Sequence, residues 1–232
     1  MNLRLDWCSY EAAKFAVEHW HYSHSMPAAA VKIGVWEDEK FIGVVLFGRG
    51  AAMNIASPYG LQQTECVELL RVALNNHKSQ TSKIVSVAIS LLKRQSPGLK
   101  LLVSYADTKQ GHEGIIYQAM NWVYVGDSLA KRQLINGKLV HPKTVYSKYG
   151  RQDIEFLRTH IDKNAQWVDE LPKRKYLFPL NDEMRKQIEP LRKPYPKRQT
   201  GGRGESDSAS QSNEKTGGAS PTRPLLDTVM EQ

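Results

Sequence analysis

The chain has 232 residues, of which 41% are hydrophobic and 24% are charged, and this composition excludes a wholly disordered protein. No apolar run approaches the roughly 18 to 20 residues that span a bilayer, so we expect no membrane span. The N-terminal sequence lacks the pattern of a secretory signal, which predicts a cytoplasmic protein. Cys8 and Cys66 are too few to staple a domain of this size, and we expect both to remain thiols.

The net charge of +8 is distributed unevenly along the chain. Residues 171–203 hold ten Lys or Arg against three acidic residues, whereas residues 204–232 hold two against five. The basic stretch also contains aromatic side chains, which suits phosphate neutralisation with stacking on bases and predicts a nucleic acid partner. A solvated extension whose charge serves only solubility is the alternative. The cations that we expect to bind DNA are Lys173, Arg174, Lys175, Arg192, Lys193, Lys197 and Arg198.

The end of the chain has little to bury. Between Pro196 and Arg223 there is no Leu, Ile, Val, Met, Phe, Tyr or Trp, so ordering this segment would have no apolar burial to offset its entropy cost. We therefore predict a folded domain over residues 1–180. Residues 181–232 are predicted to be a basic, then low-complexity, disordered tail.

Apolar periodicity predicts the elements of the folded part. In chain order they are a helix capped by Ser9, a hairpin over 31–36 and 41–47, a strand over 65–74, a helix capped by Thr81 or Ser82, a strand over 99–106, a helix over 112–121, a strand over 122–125, a second hairpin turning at Asn136-Gly137 and a helix over 151–160. Parallel neighbours need a crossover, so the strand, helix, strand passage after an antiparallel hairpin predicts a mixed central sheet flanked by helices. The fold class is α/β (α+β).

Two histidines and a tyrosine crowd the loop after the first helix, in the order His21, Tyr22, Ser23, His24. A loop with so many titratable groups is typical of a functional site. The alternative is that the tyrosine packs and the histidines lie on the surface. The His-x-x-His spacing also occurs in metal sites, but neither a carboxylate nor a Cys pair at zinc spacing accompanies it.

Asp107 follows the apolar strand over 99–106, whose carboxyl end is where ligands bind in open α/β sheets. It is therefore a candidate acid, base or metal ligand, and Tyr117 in the following helix is expected to face the same cleft. Capping the turn that begins at Thr108 is the alternative role for Asp107.

The segment NNHKSQTSK, residues 75–83, lies at a helix entrance, where free amides and the helix dipole bind phosphates. Ser82 and Lys83 are therefore candidate cofactor-binding residues. Glu68 and Arg71, on the preceding strand, belong to the same candidate cluster. An ordinary surface salt bridge between them is the alternative to a functional role.

Three separated blocks together resemble a known family: HYSHSMP at 21–27, ELLRVAL at 68–74 and SYADTKQGHEGIIYQAMNWVYVG at 104–126. They resemble the Mom family of bacteriophage DNA-modification proteins, which have a GNAT-like acetyltransferase fold. The resemblance covers roughly residues 10 to 150. It implies a GNAT-like catalytic domain here.

The resemblance further implies a transferase that converts adenine in double-stranded DNA to N6-carbamoylmethyl (acetamido) adenine and so protects phage DNA from host restriction. The family's functional positions fall on His21, Tyr22, Asp107 and Tyr117 as catalytic residues and on Arg71 as a cofactor-binding residue. It also implies iron and acetyl-coenzyme A, or a related small-molecule donor. Since glycines are missing from NNHKSQTSK, a coenzyme A pyrophosphate would be cradled less closely than in ordinary acetyltransferases.

Two other functions remain compatible with the sequence. One is a GNAT-type N-acetyltransferase that acts on a small amine or a protein. The other is a DNA-binding protein without catalysis.

Overall fold

Seven strands form the central sheet in a computed structural model that describes residues 1–50, 54–129 and 131–196. They are β1 (Leu3–Trp7), β2 (Val31–Glu37), β3 (Lys40–Gly48), β4 (Cys66–Leu74), β5 (Leu101–Asp107), β6 (Val123–Ser128) and β10 (Lys173–Pro179). A smaller sheet contains β7 (Lys131–Ile135), β8 (Lys138–Val140) and β9 (Gln166–Asp169). The helices are α1 (Tyr10–Trp20), α2 (Thr81–Gln95), α3 (Ile115–Ala119), α4 (Pro142–Tyr149), α5 (Ile154–His160) and α6 (Asp182–Ile188).

The central sheet has the order β1-β2-β3-β4-β5-β10-β6. Within the described ranges, β4 and β5 are the one parallel pair, and every other neighbouring pair is antiparallel. Helix α2 supplies the crossover that a parallel pair requires. The sequence prediction of a mixed sheet flanked by helices is therefore confirmed.

Helices cover both faces of this sheet. Ala16 and Val17 of α1 pack on Val44 and Leu46 of β3. Alternate residues of β3, Val45 and Phe47, contact α2 on the other face, because successive strand residues point to opposite sides. Helix α6 lies on the α1 face of the sheet and helix α3 on the α2 face. The described helices include none that is long and apolar enough to cross a membrane.

The structure confirms one predicted helix cap and one predicted hairpin turn, and it contradicts a second predicted helix cap. The Ser9 side chain accepts a hydrogen bond from the amide of Ala12 at 3.1 Å and caps α1. The turn of the second hairpin places Asn136 and Gly137 at positive φ, as a two-residue Asn-Gly turn requires. The prediction that Thr81 or Ser82 caps α2 is wrong, because Gln80 occupies the cap position without a side-chain hydrogen bond.

Residues 129–172 form an insertion between β6 and β10. Its three-stranded sheet, in the order β8-β7-β9, is covered by α4 and α5 and has a core of its own. That core contains Ile135, Val145, Leu157 and Ala165. The insertion is connected to the central sheet at Thr108, whose hydroxyl donates a hydrogen bond to the carbonyl of Pro172 at 2.6 Å.

The described fold continues past residue 180, where the sequence places the domain boundary. Residues 173–179, at the start of the basic stretch, form β10, which lies between β5 and β6. Helix α6 follows and buries Met184 and Ile188 against the sheet, because these residues lie one helical turn apart on one face. The expected disorder of residues 197–232 lies outside the described residues.

Helix α6 should contribute to the stability of the whole domain. Ile188 is fully buried, so Ile188→Ala should lower the free energy of unfolding by about 2 to 5 kcal/mol. The exposed Arg185→Ala on the same helix is the matched control, with a change within about 0.5 kcal/mol. Urea unfolding followed by circular dichroism measures both, and equal values for the two variants would contradict the packing of α6 on the core.

Candidate functional site

The candidate site begins where β4 and β5 separate. The two strands pair only from Cys66 to Glu68 on β4 and from Leu101 to Val103 on β5. One residue further along, a side chain spans the widening gap, since the Ser104 hydroxyl lies 3.1 Å from the carbonyl oxygen of Leu69. Beyond this bridge the gap opens toward the carboxyl ends of both strands, which is where ligands bind in open α/β sheets.

His21 lies at the C-terminal end of α1 and is 9% exposed. Its Nδ1 accepts a hydrogen bond from the Ser23 amide at 3.1 Å and is 2.8 Å from the Ser23 hydroxyl. The ring proton of the neutral imidazole must therefore be on Nε2. Burial, reinforced by the positive charge of Arg71, lowers the pKa of His21 to about 3. At neutral pH His21 is thus an uncharged hydrogen-bond donor rather than a base.

Tyr22 and His112 face each other at the mouth of the cleft. Their ring centroids are 5.3 Å apart in an edge-to-face contact, and Tyr22 is 42% exposed. Burial of its hydroxyl and the nearby Asp107 carboxylate raise the pKa of Tyr22. The Tyr22 ring is therefore available to stack on a ligand while its phenol stays protonated.

Arg71 is half-buried at the widening end of β4. Its Nη1 donates a hydrogen bond to the Leu70 carbonyl at 2.7 Å, which fixes the guanidinium. Within the described part of the chain, its buried Nε has no hydrogen-bond partner. Buried donors are normally paired, so this one is suited to an oxygen atom of a ligand.

Asp107 has the structural role that the sequence left as the alternative. One carboxylate oxygen accepts a hydrogen bond from the Lys109 amide at 3.1 Å and caps the short 3-10 turn over residues 108–110. The other oxygen is 3.4 Å from the Lys173 ammonium group. Asp107 therefore organises the edge of the cleft with both of its oxygens engaged.

Glu68 is a second carboxylate of the cleft. It is the last residue of β4 that pairs with β5, and no hydrogen bond or ion pair from residues 1–50, 54–129 or 131–196 engages it. Burial raises its pKa from 4.5 to about 7, although Arg71, Lys173 and Lys175 act in the opposite direction. Gly50, at φ +69°, lies against this carboxylate so closely that a Cβ would collide with Oε2. A carboxylate in this state can accept and release a proton near neutral pH.

Tyr117 reaches the same gap from the α2 face. It is 8% exposed, and its hydroxyl oxygen lies 2.8 Å from that of Ser104. Burial raises the pKa of Tyr117 to about 12, although the hydrogen bond with the Ser104 hydroxyl acts in the opposite direction. The gap therefore brings together groups from both faces of the sheet.

The cations predicted to bind DNA have varied surroundings. Arg174 forms an ion pair with Glu113, and Arg192 forms one with Glu189 at 2.5 Å. Lys175 lies over the buried Tyr59 ring, with its ammonium 5.2 Å from the ring centroid. Lys193 is exposed next to Gly126, whereas Lys197 and Arg198 lie outside the described residues. Lys173 and Lys175, which are partly exposed beside the cleft, are the ones positioned to meet a ligand.

The entrance of α2 is partly occupied by the protein itself. The buried Glu37 carboxylate accepts hydrogen bonds from the amides of Lys78 at 2.8 Å and Ser79 at 2.6 Å. These two amides are therefore not available to a phosphate, which would also meet the negative charge of Glu37. Ser82 and Lys83 lie in the uncapped first turn, where helix amides can hold an anionic group.

The residues of this site do not fit an iron ion. In the ranges that the structure describes, no three His, Cys, Asp or Glu side chains come together as a metal-binding group. The Nδ1 of His24 hydrogen-bonds to the Glu18 carbonyl at 2.7 Å, which engages one ring nitrogen of the His-x-x-His pair. The described residues of the site therefore offer iron no set of three ligands.

Comparison with known proteins decides the family. The Mom protein family matches residues 2–197. The chain belongs to the Mom family. It is also 25% identical over 205 residues to the methylcarbamoylase Mom of Escherichia phage Mu, a match that covers 84% of each chain. The three sequence blocks therefore identified the family correctly.

Solved structures that resemble this Mom-family chain are assigned as acetyltransferases. One from Staphylococcus epidermidis is 6% identical and covers 78% of this chain and all of its own. YncA of Salmonella typhimurium, solved with its cofactor acetyl-CoA, is 12% identical and covers 78% of this chain and 96% of its own. Each has a TM-score of 0.42, which is too low to transfer an activity or a ligand.

Sequence reasoning assigned no catalytic role to Glu68. The sequence leaves a surface salt bridge between Glu68 and Arg71 as the alternative to a functional role. In the described structure both side chains are partly buried in the gap and form no ion pair with each other. The available signal was the apolar surroundings of Glu68, which has Val67 before it and Leu69 after it. A carboxylate inside such a run is expected to be desolvated.

The raised pKa of Glu68 predicts a pH-dependent cost to folding. The stability contribution of a group with a raised pKa is fully present below the unfolded value of 4.5 and is lost as the pH rises toward 7. Glu68→Gln should match the wild type near pH 4 and be more stable by roughly 3 kcal/mol near pH 8.

Thermal or urea unfolding at the two pH values measures this difference. Glu65→Gln is the control, because Lys100 holds the pKa of Glu65 below its usual range and the sign of the effect is then reversed. A Glu68→Gln variant that gains nothing on going from pH 4 to pH 8 would contradict the burial of an ionisable carboxyl group.

Proposed function

We propose that this protein transfers a carbamoylmethyl group to the N6 amine of adenine in double-stranded DNA. The observation that carries the proposal is the Glu68 carboxylate, which has no partner among the described residues, inside a cleft whose edge is basic. Such a site suits an uncharged amine that is part of a polyanion. Membership of the Mom family and the methylcarbamoylase relative from phage Mu support the same reaction.

The cations around the cleft bind the phosphate backbone in this proposal. Lys173 and Lys175 are on the strand beside Asp107 and Tyr105, with Lys173 3.4 Å from Asp107. Lys109 follows Asp107 and is exposed, as is Arg49 next to Gly50. Backbone contacts of this kind supply most of the affinity and depend strongly on salt.

Adenine N6 is engaged in the base pair through one of its hydrogens and is held within the stack, so the enzyme must take the base out of the helical stack. Tyr22 is the aromatic residue of the mouth with an exposed ring and can stack on the extruded base. Tyr59 is 6% exposed beneath Lys175, so its ring is not available for stacking in the structure described.

Glu68 accepts the proton that N6 loses when the new bond forms. Its pKa of about 7 makes it a base at neutral pH that is weak enough to release the proton again. The Nε2 hydrogen of His21 and the free Nε of Arg71 provide hydrogen bonds to oxygen atoms of the group being transferred. Asp107 keeps Lys173 and the adjoining turn in place.

In this proposal a small-molecule donor related to acyl-coenzyme A lies at the carboxyl ends of β4 and β5. Ser82 and Lys83, in the first turn of α2, hold an anionic group of this donor. Since an acyl thioester would attach its carbonyl carbon to N6, the donor would have to carry the intact carbamoylmethyl group on a leaving group. The bond from N6 to the methylene carbon then forms as the bond from that carbon to the leaving group breaks, and the N6 proton goes to Glu68. The Glu37 carboxylate limits how far a pyrophosphate can extend into the preceding turn.

Modification at N6 explains an anti-restriction role inside the host cell. The N6 amine is the hydrogen-bond donor that adenine presents in the major groove, where proteins read sequence. A carbamoylmethyl group on N6 changes that donor and adds bulk beside it. A nuclease that reads adenine there no longer recognises its site.

The proposal is tested by nucleoside mass spectrometry of plasmid DNA from cells that express the protein. Wild type should yield a deoxyadenosine heavier by a carbamoylmethyl group, and Glu68→Gln should lower its yield at least 100-fold, because general-base catalysis is worth about 10² to 10⁴. Glu65→Gln, at a partly exposed residue that is bound to Lys100, should leave the yield unchanged. Unmodified adenine in cells that contain folded wild-type protein would contradict the reaction.

DNA affinity provides a second test. Lys109→Ala and Arg49→Ala should each weaken binding to any duplex sequence and reduce the slope of log K against log salt by about 1. The exposed Arg94→Ala, in the last turn of α2, is the control and should leave the slope unchanged. Fluorescence anisotropy over a salt series measures these slopes. Slopes equal to that of the wild type for both cleft variants would place the DNA elsewhere.

A further inference from the structure

Three oxygen atoms form a chain where β4 and β5 separate. The Tyr117 hydroxyl oxygen is 2.8 Å from the Ser104 hydroxyl oxygen, which is 3.1 Å from the Leu69 carbonyl oxygen. Ser104 is 1% exposed, so water does not compete for these contacts. Both distances lie within or close to the range of ordinary hydrogen bonds.

The Ser104 hydroxyl lies within donating distance of both neighbours, but it has only one hydrogen. Because the Leu69 carbonyl oxygen can only accept, both contacts are hydrogen bonds only when that hydrogen is donated to Leu69. The Ser104 oxygen is then the acceptor in its contact with Tyr117, and the phenol hydrogen of Tyr117 points at Ser104. What Tyr117 offers to the cleft is therefore the lone pair of its oxygen.

Tyr117 is close to the other groups of the cleft. The negative charge of Glu68 and the phenol of Tyr22 both act on it electrostatically. Burial keeps its pKa far above neutral, so the phenol retains its proton under physiological conditions. This combination makes Tyr117 a fixed hydrogen-bond acceptor and a poor proton donor.

We propose that Ser104 is a positioning residue that holds the Tyr117 hydroxyl so that its oxygen accepts a hydrogen bond from the substrate amine. The inference rests on the proposed function, in which the amine carries two hydrogens. One hydrogen faces the Glu68 carboxylate and the other faces the Tyr117 oxygen. This role differs from the proton donation that a tyrosine at this position would otherwise suggest.

The direction of the hydrogen bond can be measured without any reaction. The tyrosine doublet in ultraviolet resonance Raman spectra distinguishes a phenol that donates from one that accepts. The difference spectrum of wild type minus Tyr117→Phe should show a donating phenol, and this signature should be lost in Ser104→Ala and kept in Ser104→Thr, which retains the hydroxyl. An accepting phenol in the wild-type spectrum would overturn the proposal.

A double-mutant cycle tests the functional part. Ser104→Ala should lower the rate of adenine modification about tenfold, and Tyr117→Phe should lower it at least as much. If Ser104 acts through Tyr117, adding Ser104→Ala to Tyr117→Phe causes no further loss. Ser90→Ala, which removes an exposed hydroxyl on α2, is the control that should retain full activity.

The outcomes separate the two proposals. A further tenfold loss in the double variant would mean that Ser104 only holds the strands together, and it would overturn the positioning role. Wild-type protein that leaves adenine unmodified would refute the proposed function. The Raman spectra would still decide the direction of the Tyr117 hydrogen bond in that case.

Discussion

The early separation of β4 and β5 is the constraint on which the rest of the molecule depends. Two parallel strands that stayed paired to their ends would leave no gap in a sheet covered by helices on both faces. Because the pairing stops at Glu68 and Val103, backbone groups that would have bonded to each other need other partners. The Ser104 hydroxyl meets part of this need by bonding to Leu69, and the space beyond it becomes the cleft.

The cleft combines a buried carboxylate with basic side chains that would stabilise its charged form. Burying the Glu68 carboxylate is costly, and the positive charges of Arg71, Lys173 and Lys175 offset only part of that cost. Lys173 is directed to Asp107 and Lys175 to the ring of Tyr59. The fold therefore places positive charge at the edge of the cleft without neutralising the base inside it. Departures from the most stable arrangement are typical of functional sites.

Much of the architecture could be predicted from the sequence, because α1, the first hairpin, β4, α2 and β5 have strong apolar periodicity. Strand β10 could not be predicted, because it begins with Lys-Arg-Lys and lacks the apolar pattern of a buried strand. The ion pairs of Lys173 and Arg174 form only in the folded protein. Helix α6 was missed because it buries only Met184 and Ile188. In the site, the motifs located His21, Arg71 and Asp107, but the lack of a partner for Glu68 among the described residues depends on strand pairing that no local pattern encodes.

The position of the insertion has a consequence for how the chain folds. Strand β10 lies between β5 and β6, but it is reached only after residues 129–172. Until it arrives, β5 and β6 each present an unpaired edge, which is the kind of surface that associates with other chains. A folded insertion keeps its two ends close together, because β7 and β9 pair from Lys131 with Asp169, and so shortens the loop that must close. Pairing of β7 with β9 therefore lowers the entropy cost of bringing β10 between β5 and β6.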